Sequence, residues 1–100
     1  MYYMIYGEDV DNSLALRQSV RDQHIARLKA LAAQNRLLVA GPFPAIDSEN
    51  PGDAGFTGSL IIANFDKLAD AKAWAETDPY IKVGVYKSVI VKPYKKVLPT

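Results

Sequence analysis

The chain has 100 residues, a formal net charge of +1, 49% hydrophobic and 23% charged residues, and no cysteine. These values fit one domain, here residues 1–100, and exclude disorder, a collagen repeat, a coiled coil, disulfides and thiolate chemistry. They also exclude a nucleic-acid surface built on bulk positive charge. No apolar run approaches the roughly 18–20 residues that span a bilayer. The start, from Met1 to Asp9, lacks the cationic segment of a secretory leader. The expected setting is cytoplasmic, with no membrane partner.

Residues 2–7 read as a strand of aromatic and apolar residues, Tyr2-Tyr3-Met4-Ile5-Tyr6-Gly7. Asp9 to Ser13 is a polar turn, and Asn12 or Ser13 is placed to cap the next helix. Residues 14–34 read as that helix, a long one. At about 100° per residue, Leu14, Leu16, Val20, Ile25, Leu28, Leu31 and Ala32 share one broad arc. Gln18, Ser19, Asp22, Gln23 and Lys29 fall opposite. Asn35 suits the helix end, because asparagine tolerates the left-handed conformation.

Residues 36–42 read as a second strand ending in a Gly41-Pro42 turn. Phe43 to Phe56 is rich in Pro, Gly, Asp and Ser and reads as a long loop, the usual place for a lid. Residues 57–65 form a third strand. Asp66 is the expected cap of a second helix, Lys67 to about Thr77. Asp78-Pro79 then starts one short turn to Val83, closed by Gly84. Residues 85–93 are the last strand. The order β-α-β-β-α-β predicts an α+β, ferredoxin-like fold: a four-stranded antiparallel sheet with two helices on one face. The first and third strands are apolar on both faces, so the open face needs a cover. A second copy packed across a two-fold axis supplies it, and a homodimer is expected.

His24 is the only histidine, and it falls in the middle of the apolar arc, with Arg17 and Arg21 beside it. Buried cations need partners or water, so this face is expected to line a pocket in its N-terminal half. The plain alternative for His24 is a packed histidine satisfied by a carboxylate or a carbonyl. For Arg17 and Arg21 it is a solvated helix edge. Asp78 reads first as a helix cap, yet its second oxygen is free to hold an imidazole in one tautomer, and a histidine so held moves protons near neutral pH. No carboxylate or cysteine spacing points to a metal. Gly52-Asp53-Ala54-Gly55 lacks the Lys-Ser/Thr of a phosphate loop, so no cofactor is expected. An RNA-binding domain shares the element order, but the third strand lacks the basic-aromatic pattern that stacks bases. Ser59 is a candidate donor to substrate, or simply a small residue in a strand.

Several segments together resemble the YciI family, small bacterial proteins of the dimeric α+β barrel class. They are Arg17-x-x-x-Arg21-x-x-His24-x-x-x-Leu28, Arg36-Leu37-Leu38-x-Ala40-Gly41-Pro42, Pro51-Gly52-x-Ala54-Gly55-Phe56-Thr57-Gly58-Ser59, Ala73-Trp74-Ala75-x-x-Asp78-Pro79-Tyr80 and Gly84-Val85-Tyr86. Asn35 departs from the glycine many relatives carry. The resemblance implies a dimer with a His24–Asp78 pair and supporting roles for Arg17, the Gly41-Pro42 turn and Ser59. It also implies a small-molecule enzyme, since a related member is a dehydrochlorinase of a chlorinated hydroxyquinol. The expected chemistry is proton transfer in an elimination or isomerisation. His24 is the base or acid, Asp78 its partner, and Arg17 with Arg21 holds an anionic oxygen. Tyr6, Phe43 and Tyr80 are expected as aromatic walls and residues 43–56 as the lid. The alternative is a non-catalytic dimeric module that binds a metabolite in the same pocket.

Overall fold

A computed structural model describes all 100 residues. The elements are β1 (Tyr2–Asp9), α1 (Leu14–Ala33), β2 (Leu37–Pro44), β3 (Phe56–Asn64), α2 (Leu68–Glu76), α3 (Pro79–Lys82) and β4 (Tyr86–Tyr94), with a 3-10 turn at Gly52–Ala54. The strands form one antiparallel sheet in the order β2-β3-β1-β4. This is the ferredoxin-like α+β fold. No helix is long and apolar enough to cross a membrane.

Alternation along β1 sorts the sheet into two faces. Tyr3, Ile5, Gly7 and Asp9 are buried, while Tyr2, Met4, Tyr6 and Glu8 are half-buried. The first set faces the helices. Its register partners Ala63, Ile61 and Ser59 on β3 lie on the same side. With Leu28 and Leu31 of α1, Ala71 and Ala75 of α2, and Phe65, the buried apolar residues of this side form the core. The small Ala71 and Ala75 let α2 approach β1 and β4 closely.

The local signals resolve in four ways. Asn35 adopts φ 57° and ends α1. Asp78 caps α3, accepting from the Tyr80 backbone N–H at 2.9 Å. Ser13 does not cap α1; its hydroxyl donates instead to Asp9 at 2.6 Å. Asp66 does not cap α2 either, since Lys67 holds that position with no side-chain bond. Two strands also run two residues further than expected, β1 to Asp9 and β2 to Pro44. β2 runs on through Gly41-Pro42 to Pro44, so these two residues lie inside a strand, paired with Leu60 and Ser59, rather than in a turn. Proline is tolerated there because β2 is an edge strand.

Helix α1 is not one straight rod. Val20 leaves helical geometry, with φ −131° and ψ 15°. Arg17, His24, Leu28 and Leu31 are buried and still form one narrow stripe at about 100° per residue, whereas Leu16 and Ala32 flank it and are exposed. The buried face therefore carries two polar side chains, Arg17 and His24, and then only leucines toward its C-terminal end.

Candidate active site

Between the first half of α1 and the sheet lies a cavity of about 400 Å³. Its polar lining is Arg17, Gln18, Arg21, His24 and Ser59. Its apolar walls come from both layers, with Leu14, Ile25 and Leu28 on α1 facing Ala40, Pro42 and Ile61 on the sheet, and Phe56 and Tyr80 at the sides.

His24 is 5% exposed and Asp78 2%. The two oxygens of Asp78 lie 2.9 and 3.0 Å from His24 Nδ1. A carboxylate only accepts, so Nδ1 carries the proton and donates it. The other ring nitrogen, Nε2, makes no hydrogen bond within the chain and is not sealed from solvent. Tyr80 stacks on the imidazole at 3.9 Å and 9° between planes. Tyr86 meets Tyr80 edge-on at 5.7 Å. The ring is thus fixed by a bond at one edge and a stack on one face.

Arg17 is the second buried polar group. Its Nε and Nη2 donate to the two oxygens of Asp9 at 2.6 and 2.9 Å, and Nη2 also donates to Ser59 Oγ at 2.8 Å. Phe56 and Tyr80 flank the guanidinium at 5.4 and 5.0 Å. Burial pulls the Arg17 pKa down, but the hydrogen bond and charge of Asp9 overcome it and leave the group above the ordinary arginine value. Nη1 is left over as a donor; it has no partner and is not sealed. Ser59 accepts from Arg17, and its own hydroxyl proton has the Tyr86 phenol as well as the cavity within reach.

Arg27, one turn beyond His24, closes the back of the site. It stacks on Trp74 at 4.3 Å and donates to the Trp74 carbonyl and Thr77 Oγ1. Its Nη1 is buried without a hydrogen bond, 3.9 Å from Asp78 Oδ2. Burial lowers the Arg27 pKa, with the Asp78 charge partly offsetting it. Burial also raises the Tyr80 and Tyr86 hydroxyls above the usual phenol value, opposed at Tyr80 first by the charge of Arg17 and at Tyr86 first by the neighbouring Ser59 hydroxyl and then by Arg17. No atom completes a hydrogen bond to the sealed Tyr86 hydroxyl.

The structure brings His24, Arg17, Ser59, Tyr80, Gly41, Pro42 and Arg21 to one cavity, with Arg21 exposed, and puts Asp78 behind His24 rather than in the lining. It does not bring Tyr6 or Phe43. These two pair edge-on at 5.7 Å, and their positions in β1 and in β2 put them on the opposite side of the sheet from Ile5, Ala40 and the helices. Strand parity decides it, since a residue one place along points the other way. Nor do residues 45–55 line the cavity; only Phe56 from the expected lid does so. Asp9, Gln18 and Tyr86 join the site without having stood out in the sequence. Asp9 has a legible signal, because it shares the inward parity of Tyr3 and Ile5 and a buried Arg17 demands a carboxylate.

An uncharacterised protein of Haemophilus influenzae is 62% identical over 97 residues, which are 97% of this chain and 99% of that one. Protein YciI of Escherichia coli is 57% identical over 97 residues, with the same shares of the two chains. Among solved structures, 5-chloro-2-hydroxyhydroquinone dehydrochlorinase (TftG) of Burkholderia phenoliruptrix AC1100, in complex with 2,5-dihydroxybenzoquinone, superposes with a TM-score of 0.83 at 29% identity, covering 95% of this chain and 94% of that one. The YCII-related domain matches residues 1–95, and the chain belongs to that family.

Proposed function

We propose that the protein is a small-molecule enzyme in which His24 moves a proton at Nε2. The observation that carries this reading is the division of the imidazole. Nδ1 is committed to Asp78, while Nε2 is unpartnered beside a cavity large enough for one substituted ring. In the forward step a substrate C–H or O–H bond breaks and its proton joins Nε2. The electron pair moves onto an adjacent oxygen as an enolate, or expels a leaving group from the neighbouring carbon. Asp78 steadies the imidazolium that forms. Arg17 Nη1 and the Ser59 hydroxyl are the donors for the developing oxyanion. The reaction class is elimination or isomerisation of a small ring or enol compound. The solved relative that dehydrochlorinates a hydroxyhydroquinone supports this class.

The test is a screen of hydroxyquinols, quinones and cyclic enols by ultraviolet absorbance, with His24→Gln as the control. Wild type should convert at least one compound and the variant should not, while both keep the same circular dichroism. Turnover retained by His24→Gln would remove the base. Binding without consumption of any compound would favour the metabolite-binding module.

The proposal extends to the assembly. Val39, Phe43 and Ile90 are exposed on the sheet face away from the helices, beside half-buried Tyr2, Met4, Tyr6 and Leu60. Register places Val39 opposite Ile62, and Ile90 opposite Tyr6, so these side chains make one continuous apolar surface. A second copy of the chain covers it by sheet-on-sheet packing. Light scattering should give twice the chain mass, and Ile90→Asp should return it to one.

A further inference from the structure

Charges around the cavity are unevenly paired, and the imbalance names the ligand. None of the residues lining the cavity is acidic. The two carboxylates that reach it from behind are both occupied. Asp9 is held by two nitrogens of Arg17. Asp78 holds His24 and lies 3.9 Å from Arg27. Arg21 lines the same cavity, is exposed, and has neither an ion pair nor a hydrogen bond. Three guanidinium groups therefore meet two carboxylates, and the one left over sits at the mouth.

We infer that the site selects a planar single-ring monoanion, with its acidic group at Arg21 and its reacting edge at His24, so that Arg21 sets charge specificity. This deepens the acid–base reading and rests on it for the role of His24. A cavity of about 400 Å³, walled by Phe56, Leu28, Ile61 and Pro42, admits one apolar ring and excludes a larger polyanion. A neutral ring would leave Arg21 unanswered. A dianion would bring a second full charge that no unpaired cation answers, because Arg17 is already neutralised by Asp9. Proton transfer preserves the match. As the substrate loses a proton and gains a negative charge, His24 gains a positive one.

Binding at equilibrium tests this without any turnover. Benzoate, benzamide and terephthalate share one ring and carry one, no and two negative charges. The imidazole NMR signal of His24, the sole histidine, reports occupancy at fixed pH and ionic strength. Benzoate should bind roughly ten-fold more tightly than benzamide, the order expected for one charge-assisted bond at an exposed rim. Terephthalate should bind no better than benzoate. Arg21→Gln should bring benzoate down to the benzamide level, Arg21→Lys should keep most of the preference, and Lys29→Gln, an exposed control, should change nothing. Equal binding of benzoate and benzamide, ten-fold tighter terephthalate, no benzoate response at millimolar concentration, or an unchanged preference in Arg21→Gln would each overturn the inference. If the charge preference holds but no monoanionic ring is ever consumed, the catalytic reading fails and this one stands.

Discussion

Asp78 does two jobs with one carboxylate, and substitution separates them. Oδ1 accepts from Tyr80 N, capping α3, and from His24 Nδ1, both at 2.9 Å; Oδ2 lies 3.0 Å from the same Nδ1. Asparagine offers one oxygen of the same shape. The Tyr80 N–H needs an acceptor, so that oxygen takes the Oδ1 position and the cap survives, since asparagine and aspartate cap about equally well. What Asp78→Asn loses is the negative charge facing the imidazole and Arg27. Alanine loses everything. The cap is worth about 1 kcal/mol, and breaking a buried pair while leaving its donor unsatisfied raises the total to about 3–5 kcal/mol. Asp78→Asn should therefore cost about 1 kcal/mol and Asp78→Ala several times that. For a chain of 100 residues the gap amounts to roughly 10 °C or more in Tm. Urea denaturation measures both, and turnover of any substrate found should fall by about 10²–10⁴ in Asp78→Asn despite its near-native stability. Equal destabilisation by the two substitutions would refute the division, and so would undiminished turnover in Asp78→Asn.

Three neighbouring residues give further expected outcomes. Asp9→Ala leaves the Arg17 guanidinium, 5% exposed, without its carboxylate and should cost about 3–5 kcal/mol in chemical denaturation; a loss under about 1 kcal/mol would mean that water replaces Asp9. Gly7→Ala puts a Cβ 2.6 Å from the Tyr86 ring, which Tyr80 backs edge-on, and should destabilise by about 1–3 kcal/mol, with Tyr86→Leu restoring part of the loss. Burial raises the Tyr86 phenol in the folded chain, so the folded state keeps that proton to higher pH than the unfolded state does. Its stabilising contribution is complete below about pH 10 and is lost as pH rises above it, by at most about 1.4 kcal/mol per pH unit. Wild type should lose stability between about pH 9.5 and 11 more steeply than Tyr86→Phe, and parallel profiles would contradict the burial argument.

How far the sequence alone reaches is shown by particular residues. The element order follows from hydrophobic period and turn chemistry, and Asn35 and Asp78-Pro79 mark real boundaries because their backbone requirements are local. His24 and Arg17 stand out because a histidine and an arginine on an apolar arc have no local reason to be there. What the chain does not display is pairing across the fold. Asp9 looks like a turn residue until β1 parity turns it inward, and Tyr6 looks like a pocket wall until the same parity turns it outward. The kink at Val20 has no proline or glycine to announce it, and Leu16, apolar but at the margin of the arc, faces out. Nothing local singles out Arg27, because the partners that half-bury it, Trp74 and Thr77, arrive some 50 positions later in the chain.

The shortest helix ties stability to chemistry. Four residues, Pro79–Lys82, are far too few to hold helical form alone, so α3 exists because something outside it holds it. That support is the site itself: the Asp78 cap at its start, the Tyr80 stack on His24, and the Val85 N–H returning to the Tyr80 carbonyl at 2.8 Å. A ligand that hydrogen-bonds to Nε2 polarises the Nδ1–H toward Asp78 and strengthens the bond that anchors the helix. Binding at the cavity should therefore slow hydrogen exchange not only at residues that touch the ligand but also at the Lys82 and Val83 amides, whose bonds to Asp78 and Pro79 close the α3 turn. Protection confined to the lining residues would show that the helix is held independently of the dyad, and that the His24–Asp78 bond is no stronger with a ligand present than without one.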